Sequence, residues 1–288
     1  MFLTNGGNVE LDVIRRLRRQ NLRVHAIVHQ TSWTLEKRRR GNEPWHAHQL
    51  SGLKLFLRVA RFYAHAFVHR RNFPWRAEKV FPGGPLNSAT MRDRLLALQP
   101  DLVVLGGIGI LSPALIQVAR LGVINAHPGL LPWVRGCGVV GNALLRGVPV
   151  GATAHYIDVG IDTGPVIERR LLALTGREES LGEIERAADG LAADMLVEII
   201  GGILKSNKVP LSQQQTSKAP ICRWLSADDR AAVDQFVKAG RAKSLFDQWS
   251  QWCVERMTWC LPVDFQGPDL GLFQGFNVDR FRETENRP

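Results

Sequence analysis

Residues 101–106 read Asp-Leu-Val-Val-Leu-Gly, and residues 122–125 read Gly-Val-Ile-Asn. Both runs are short and almost continuously apolar, the pattern of strands covered on both faces of a parallel sheet. Between them, Ser112 as cap and Pro113 in the first turn predict a helix over 112–118. A helix is expected just upstream, over Met91–Leu98. At the start of the chain, Phe2–Asn5, Gly6-Gly7, Val9–Arg19 and Arg23–Val28 read as strand, turn, helix and strand. Val9, Val13, Ile14 and Leu17 share one face of that helix. Downstream come a helix over Cys137–Leu145, strands over Ala152–Ile157 and Pro165–Leu174, and a long helix over Leu181–Ile203. Strands alternating with helices predict an α/β fold, an open and mostly parallel sheet with helices on both faces.

The organisation follows from composition. The chain has 288 residues, 45% hydrophobic and 22% charged, as globular domains do. Residues 1–204 are expected to form the main domain, and 205–288 a small C-terminal appendage. The polar run from Lys205 to Pro220 marks the change. Residues 31–87 read as a basic insertion. It holds Lys37-Arg38-Arg39-Arg40, an amphipathic helix over Leu53–Val68 and a loop over Asn72–Asn87 with three prolines.

Lys and Arg number 37 against 27 Asp and Glu, a net charge of +10. The excess lies in residues 1–120, with 19 basic and 7 acidic residues. Such an excess reads either as a plain basic surface or as a field for anionic substrates, nucleic acid or an anionic membrane surface, the last through residues 37–76. His65 and His69, like His46 and His48, have metal-compatible spacing, but no third ligand accompanies either pair, so no metal is expected. With four cysteines lacking CxxC spacing, no basic leader read in MFLTNGG and no run of 18 apolar residues, the expected setting is a reducing cytoplasm.

The chemistry gathers in Asn125–Gly164, NAHPGLLPWVRGCGVVGNALLRGVPVGATAHYIDVGIDTG. Asn125 and His127 sit two apart in a turn leaving a strand, where functional side chains of open α/β sheets collect. His155 lies in a strand, with Asp158 and Asp162 in the loop beyond it. An amide, imidazoles and carboxylates without a serine or cysteine nucleophile suit direct group transfer to a bound acceptor.

Asn125-Ala126-His127-Pro128-Gly129-Leu130-Leu131-Pro132 with Arg135-Gly136 resembles the signature of the folate-dependent formyltransferases. That family includes glycinamide ribonucleotide, methionyl-tRNA and sugar-amine N-formyltransferases. The likeness continues through His155 to Ile167 and includes Leu105–Pro113, LGGIGILSP. It is close over residues 88–200 and faint over 1–30. It implies a Rossmann-like sheet, N10-formyltetrahydrofolate as donor and an amine as acceptor. It also implies Asn125, His127 and Asp162 as the catalytic set. Asn125 and His127 would stabilise charge on the formyl oxygen, while Asp162 would orient His127 and take a proton through water.

Leu105, Ile108, Ile110 and Leu111 would wall the pterin, with Val159, Gly160 and Ile161 lending loop atoms. Leu105 also reads as plain core. His155 either lines the donor site or packs inside the fold. The acceptor would meet Asn5, Gly6, Gly7 and Arg135, although Arg135 is equally placed to pair locally. Thr4–Asn8 is a loose match to the phosphate-holding glycine loop of the purine enzyme. Residues 205–288 carry 12 basic and 10 acidic residues, less basic than a tRNA-binding appendage. The expected acceptor is therefore a small anionic amine such as a nucleotide amino sugar. The alternatives are methionyl-tRNA, hydrolysis with water as acceptor, and a non-catalytic relative that binds lipid or a partner.

Overall fold

The computed structural model describes residues 1–4, 8–30, 79–206, 210 and 220–255. Asn5, Gly6 and Gly7, the amphipathic helix expected over 53–68, most of the 31–87 insertion and the tail after 255 lie outside them. The chain divides into two compact units, residues 1–125 with 196–209, and residues 126–195 with 210–288.

The first unit is a parallel sheet with strand order β3-β2-β1-β4-β5. Its strands are β1 (Phe2–Thr4), β2 (Ala26–Gln30), β3 (Lys79–Gly84), β4 (Val103–Gly106) and β5 (Val123–His127). β1 is central, pairing Phe2 with Ile27 on one side and with Val104 on the other. All three β1 residues and all four of β4 are buried, which is why neither sequence alternates. Helix α1 (Asn8–Arg19) turns Val13, Ile14 and Leu17 into the core. Val9, expected on the same face, is only partly buried.

Three expectations change here. The supposed loop 72–87 contains β3. Among the described residues it pairs with β2 alone, at the sheet edge, where Pro82 needs no ladder partner on its outer side. Helix α2 (Ala89–Leu98) is capped by Ser88, whose Oγ accepts from the Met91 amide at 3.1 Å. The helix expected over 112–118 is a single turn, α3 (Pro113–Ile116), with no side-chain cap from Ser112. The Ser112 amide is instead tied to Asn87 Oδ1 at 2.7 Å, while Asn87 Nδ2 donates to the Ile110 carbonyl at 2.9 Å. Asn87 thereby fixes the loop that carries Ile110 and Leu111.

In the second unit the end of β5, Ala126–His127, is followed by β6 (Arg135–Gly136) and α4 (Val139–Leu145). Then come β7 (Gly151–Tyr156) and β8 (Val166–Leu171), an antiparallel pair. Helix α5 (Leu181–Ser206) follows in sequence, with its residues from 196 onward counted in the first unit. The C-terminal part supplies β9 (Ile221–Cys222), α6 (Ala227–Lys238) and α7 (Arg241–Glu255). It shares one core with the rest of this unit. Val233, Phe236 and Leu245 pack in the same cluster as Leu130, Leu144 and Leu181. The division between compact units therefore does not fall at residue 205. Two-stranded pairing of β6 with β9 adds a second, small parallel sheet.

Candidate active site

Asn125 and His127 are the third and fifth residues of β5, so both belong to the strand and not to a turn beyond it. Strand geometry alternates side chains, which puts the two on one face. His127 is 5% exposed. Its Nε2 lies 3.1 Å from the Val134 carbonyl oxygen. A carbonyl only accepts, so Nε2 carries the hydrogen. The nitrogen left for chemistry is Nδ1, and it lies 3.7 Å from Asp162 Oδ2.

Asp162 stands in the loop between β7 and β8 with φ of +52°, a left-handed conformation that Asp and Asn tolerate better than most residues. The loop is shaped by its own polar groups. Asp158 Oδ1 accepts from the Gly160 amide at 3.0 Å and from the Thr163 hydroxyl at 2.7 Å. Arg135 Nη1 donates to the Ile161 carbonyl at 3.4 Å. The Gly136 amide donates to Asp162 Oδ2 at 2.8 Å, a charge-assisted bond that fixes the carboxylate.

His155 approaches the other oxygen. Its Nε2 is 3.8 Å from Asp162 Oδ1, and its Nδ1 donates to the Tyr156 carbonyl at 2.8 Å. It is completely buried, so it presents no open face to a bound donor. Burial pushes its pKa down to about 4, against the raising influence of Asp162, the Tyr156 carbonyl and Asp158, with His127 adding to the fall. His155 is thus neutral at pH 7. Its Nε2 is buried without a hydrogen-bond partner and turns a lone pair toward the carboxylate.

A stability prediction follows. Between the unfolded pKa near 6.5 and the folded value of about 4, the unfolded chain binds the extra proton. Stability from His155 is therefore full above about pH 6.5 and is lost as pH falls toward 4. The loss amounts to about 3 kcal/mol. Urea unfolding across this range should show a shallower pH dependence for His155→Gln than for the wild type. Parallel curves would contradict the assignment.

Cys137 and Cys222 are free and buried. Burial, then the Asp162 charge, pushes the Cys137 thiol up to about 11, and burial raises Cys222 as well. Neither is a thiolate nucleophile at neutral pH. Among the described residues, no group of three or more His, Cys, Asp or Glu is arranged to hold a metal ion.

The expected pterin-wall residues divide by exposure. Leu105 and Leu111 are buried, Ile108 is half-buried and Ile110 is 53% exposed in the first unit. In the second unit Val159 is 69% exposed, Gly160 is exposed and Ile161 half-buried. Sequence reading missed Gly136, Val134 and Asn87. The first two act through backbone atoms, and although Gly136 stands in the Arg135-Gly136 motif, its residue type does not announce an amide aimed at Asp162. Among the described residues no helix is long and apolar enough to cross a membrane.

Residues 65–200 match the family model described as formyl transferase. A methionyl-tRNA formyltransferase from Methylococcus capsulatus is 33% identical over 126 residues, covering 43% of this chain and 41% of the relative. One from Chloroflexus aggregans is 33% identical over 174 residues, covering 57% and 55%. The chain spans about half the length of these curated relatives. A crystal structure of a 4-N formyltransferase from Francisella tularensis superposes with a TM-score of 0.53 at 16% identity, covering 82% of this chain and 86% of that one. At that identity the superposition speaks for the fold alone. Together with the strand order and the Asn125-to-Asp162 segment, these matches show that the chain resembles the formyltransferases, with the family model matching residues 65–200.

Proposed function

We propose that the chain transfers a formyl group from N10-formyltetrahydrofolate to the amine of a small anionic acceptor such as a nucleotide amino sugar. The observation that carries this reading is the His127–Asp162 pair, 3.7 Å apart at the end of β5, inside the formyl transferase segment. The folate donor supplies the activated formyl group. In the first unit Ile110, 53% exposed on its loop, offers an apolar wall suited to a flat ring system. His155 is too deeply buried for that wall and serves the Asp162 side instead.

The chain's own work is positioning, charge stabilisation and proton movement. As an amine adds to the formyl carbon, the charge growing on oxygen is met by the Asn125 amide and by His127, which offers an Nδ1–H when both ring nitrogens carry a proton. Asp162, held by the Gly136 amide, orients Nδ1 and takes the proton of the attacking nitrogen through a water, and the step closes as the formyl carbon–N10 bond breaks and N10 of the leaving tetrahydrofolate takes up a proton. Arg135, half-buried beside Ile161, adds positive charge for an anionic acceptor.

Methionyl-tRNA as acceptor is favoured by a different observation, the curated relatives at about one-third identity. The near-balanced charge of residues 205–288 speaks for the small acceptor. Calorimetry with a stable 10-formyltetrahydrofolate analogue separates the readings. Donor binding that tightens in the presence of a nucleotide amino sugar supports the first. Tight, salt-sensitive tRNA binding supports the second, because phosphate contacts release counterions. A folded protein that binds no folate contradicts both.

A further inference from the structure

The two-residue strands β6 and β9 join residues 86 apart in sequence, pairing Gly136 with Cys222. The Cys137 amide donates to the Cys222 carbonyl at 3.0 Å. Gly136 has φ of +99°, and a Cβ there would come within 2.6 Å of the Cys222 carbonyl oxygen. Only glycine lets the two backbones approach this closely. The same Gly136 holds the Asp162 carboxylate through its amide.

One buried side chain locks the pair from the helix below. Asn142, on α4 and 5% exposed, donates from Nδ2 to the Gly138 carbonyl at 2.9 Å and to the Arg223 carbonyl at 2.9 Å. The two carbonyls lie just past β6 and β9 respectively. A single amide thus clamps both arms of the mini-sheet on which Gly136 rests. A buried amide shared by backbone carbonyls from two segments far apart in sequence is a strut between them: without it the Arg223 carbonyl loses its side-chain donor, while the Gly138 carbonyl keeps only the Asn142 backbone amide at 3.0 Å.

We propose that Asn142 is a positioning residue for Asp162, acting through the β6–β9 pair, and that residues 221–223 therefore complete the active site although they lie beyond the formyl transferase segment. The inference rests on the proposed role of Asp162 only for its kinetic consequence. The mechanical link from Asn142 to the Gly136 amide stands without it. Without the clamp, β9 separates from β6 and the Gly136 amide drifts off the carboxylate. Misplacing a reacting group by a fraction of an ångström is enough to cost turnover.

The test uses the full-length chain labelled with 15N-glycine. In the wild type, the Gly136 amide proton is expected downfield because of its carboxylate partner, and Asp162→Asn is expected to move it upfield. Asn142→Ala is expected to move the same resonance upfield. It is also expected to lower kcat for formyl transfer about tenfold, with KM for the folate donor within about twofold. If Asn142→Ala does not fold, Asn142→Ser, which keeps a hydroxyl donor at smaller volume, is measured in its place. A folded variant with an unmoved Gly136 resonance overturns the proposal. So does a kcat that falls only with the folded fraction. Should the wild type transfer no formyl group, the resonance still decides the positioning claim, while the functional reading fails on its own.

Discussion

Asp162→Asn is expected to lower formyl-transfer turnover by roughly 10²-fold or more while leaving the melting temperature within a few degrees of wild type. The substitution separates chemistry from architecture unusually well at this position. Asp162 sits at φ +52°, and asparagine is the residue that best accepts that conformation in its place. The amide oxygen can still accept from the Gly136 amide, so the loop keeps its anchor. What disappears is the negative charge opposite His127 Nδ1 and the group able to take a proton. Steady-state kinetics beside thermal unfolding check the prediction. Near-normal turnover would remove Asp162 from the mechanism. A collapse in melting temperature would recast it as structural.

His127→Ala is expected to cost turnover by a similar factor, but with a stability penalty as well. The imidazole is buried and satisfies the Val134 carbonyl at 3.1 Å. Losing that donor leaves a buried acceptor unpaired, at a cost of about 1–3 kcal/mol. The kinetic loss should greatly exceed what partial unfolding explains, since the variant also lacks the Nδ1 donor. Turnover normalised to folded protein is the check. A variant that is merely less stable, with normal turnover per folded molecule, would show that His127 only packs.

The strands that decide the architecture were legible because burial on both faces leaves continuous apolar runs. Val103–Gly106 and Val123–His127 are of this kind. Asn125 and His127 stood out as a pair at the end of the latter strand, but they read as a turn, because two polar residues break the apolar run that marks the strand. Asp162 was visible only through the family likeness, since a loop aspartate has no pattern of its own. What stayed hidden has physical causes. Strand β3 contains Pro82 and two glycines and survives because it needs only one neighbour. Strands β6 and β9 are two residues long, too short for any period, and their partners are far apart in sequence. The role of 220–255 was hidden because its core contacts, Val233 and Phe236 with residues such as Leu144, are tertiary. His155 offered two readings in sequence, and its complete burial beside Asp162 gives it an interior place.

The most direct test of the central claim follows an isotope-labelled formyl group from N10-formyltetrahydrofolate. The wild type and Asp162→Asn are each incubated with the donor and with two acceptors in turn, a nucleotide amino sugar and methionyl-tRNA. The account predicts a labelled formamide on one of these amines, formed roughly 10²-fold more slowly by the variant. No label on either acceptor, or equal rates for both proteins, would contradict it.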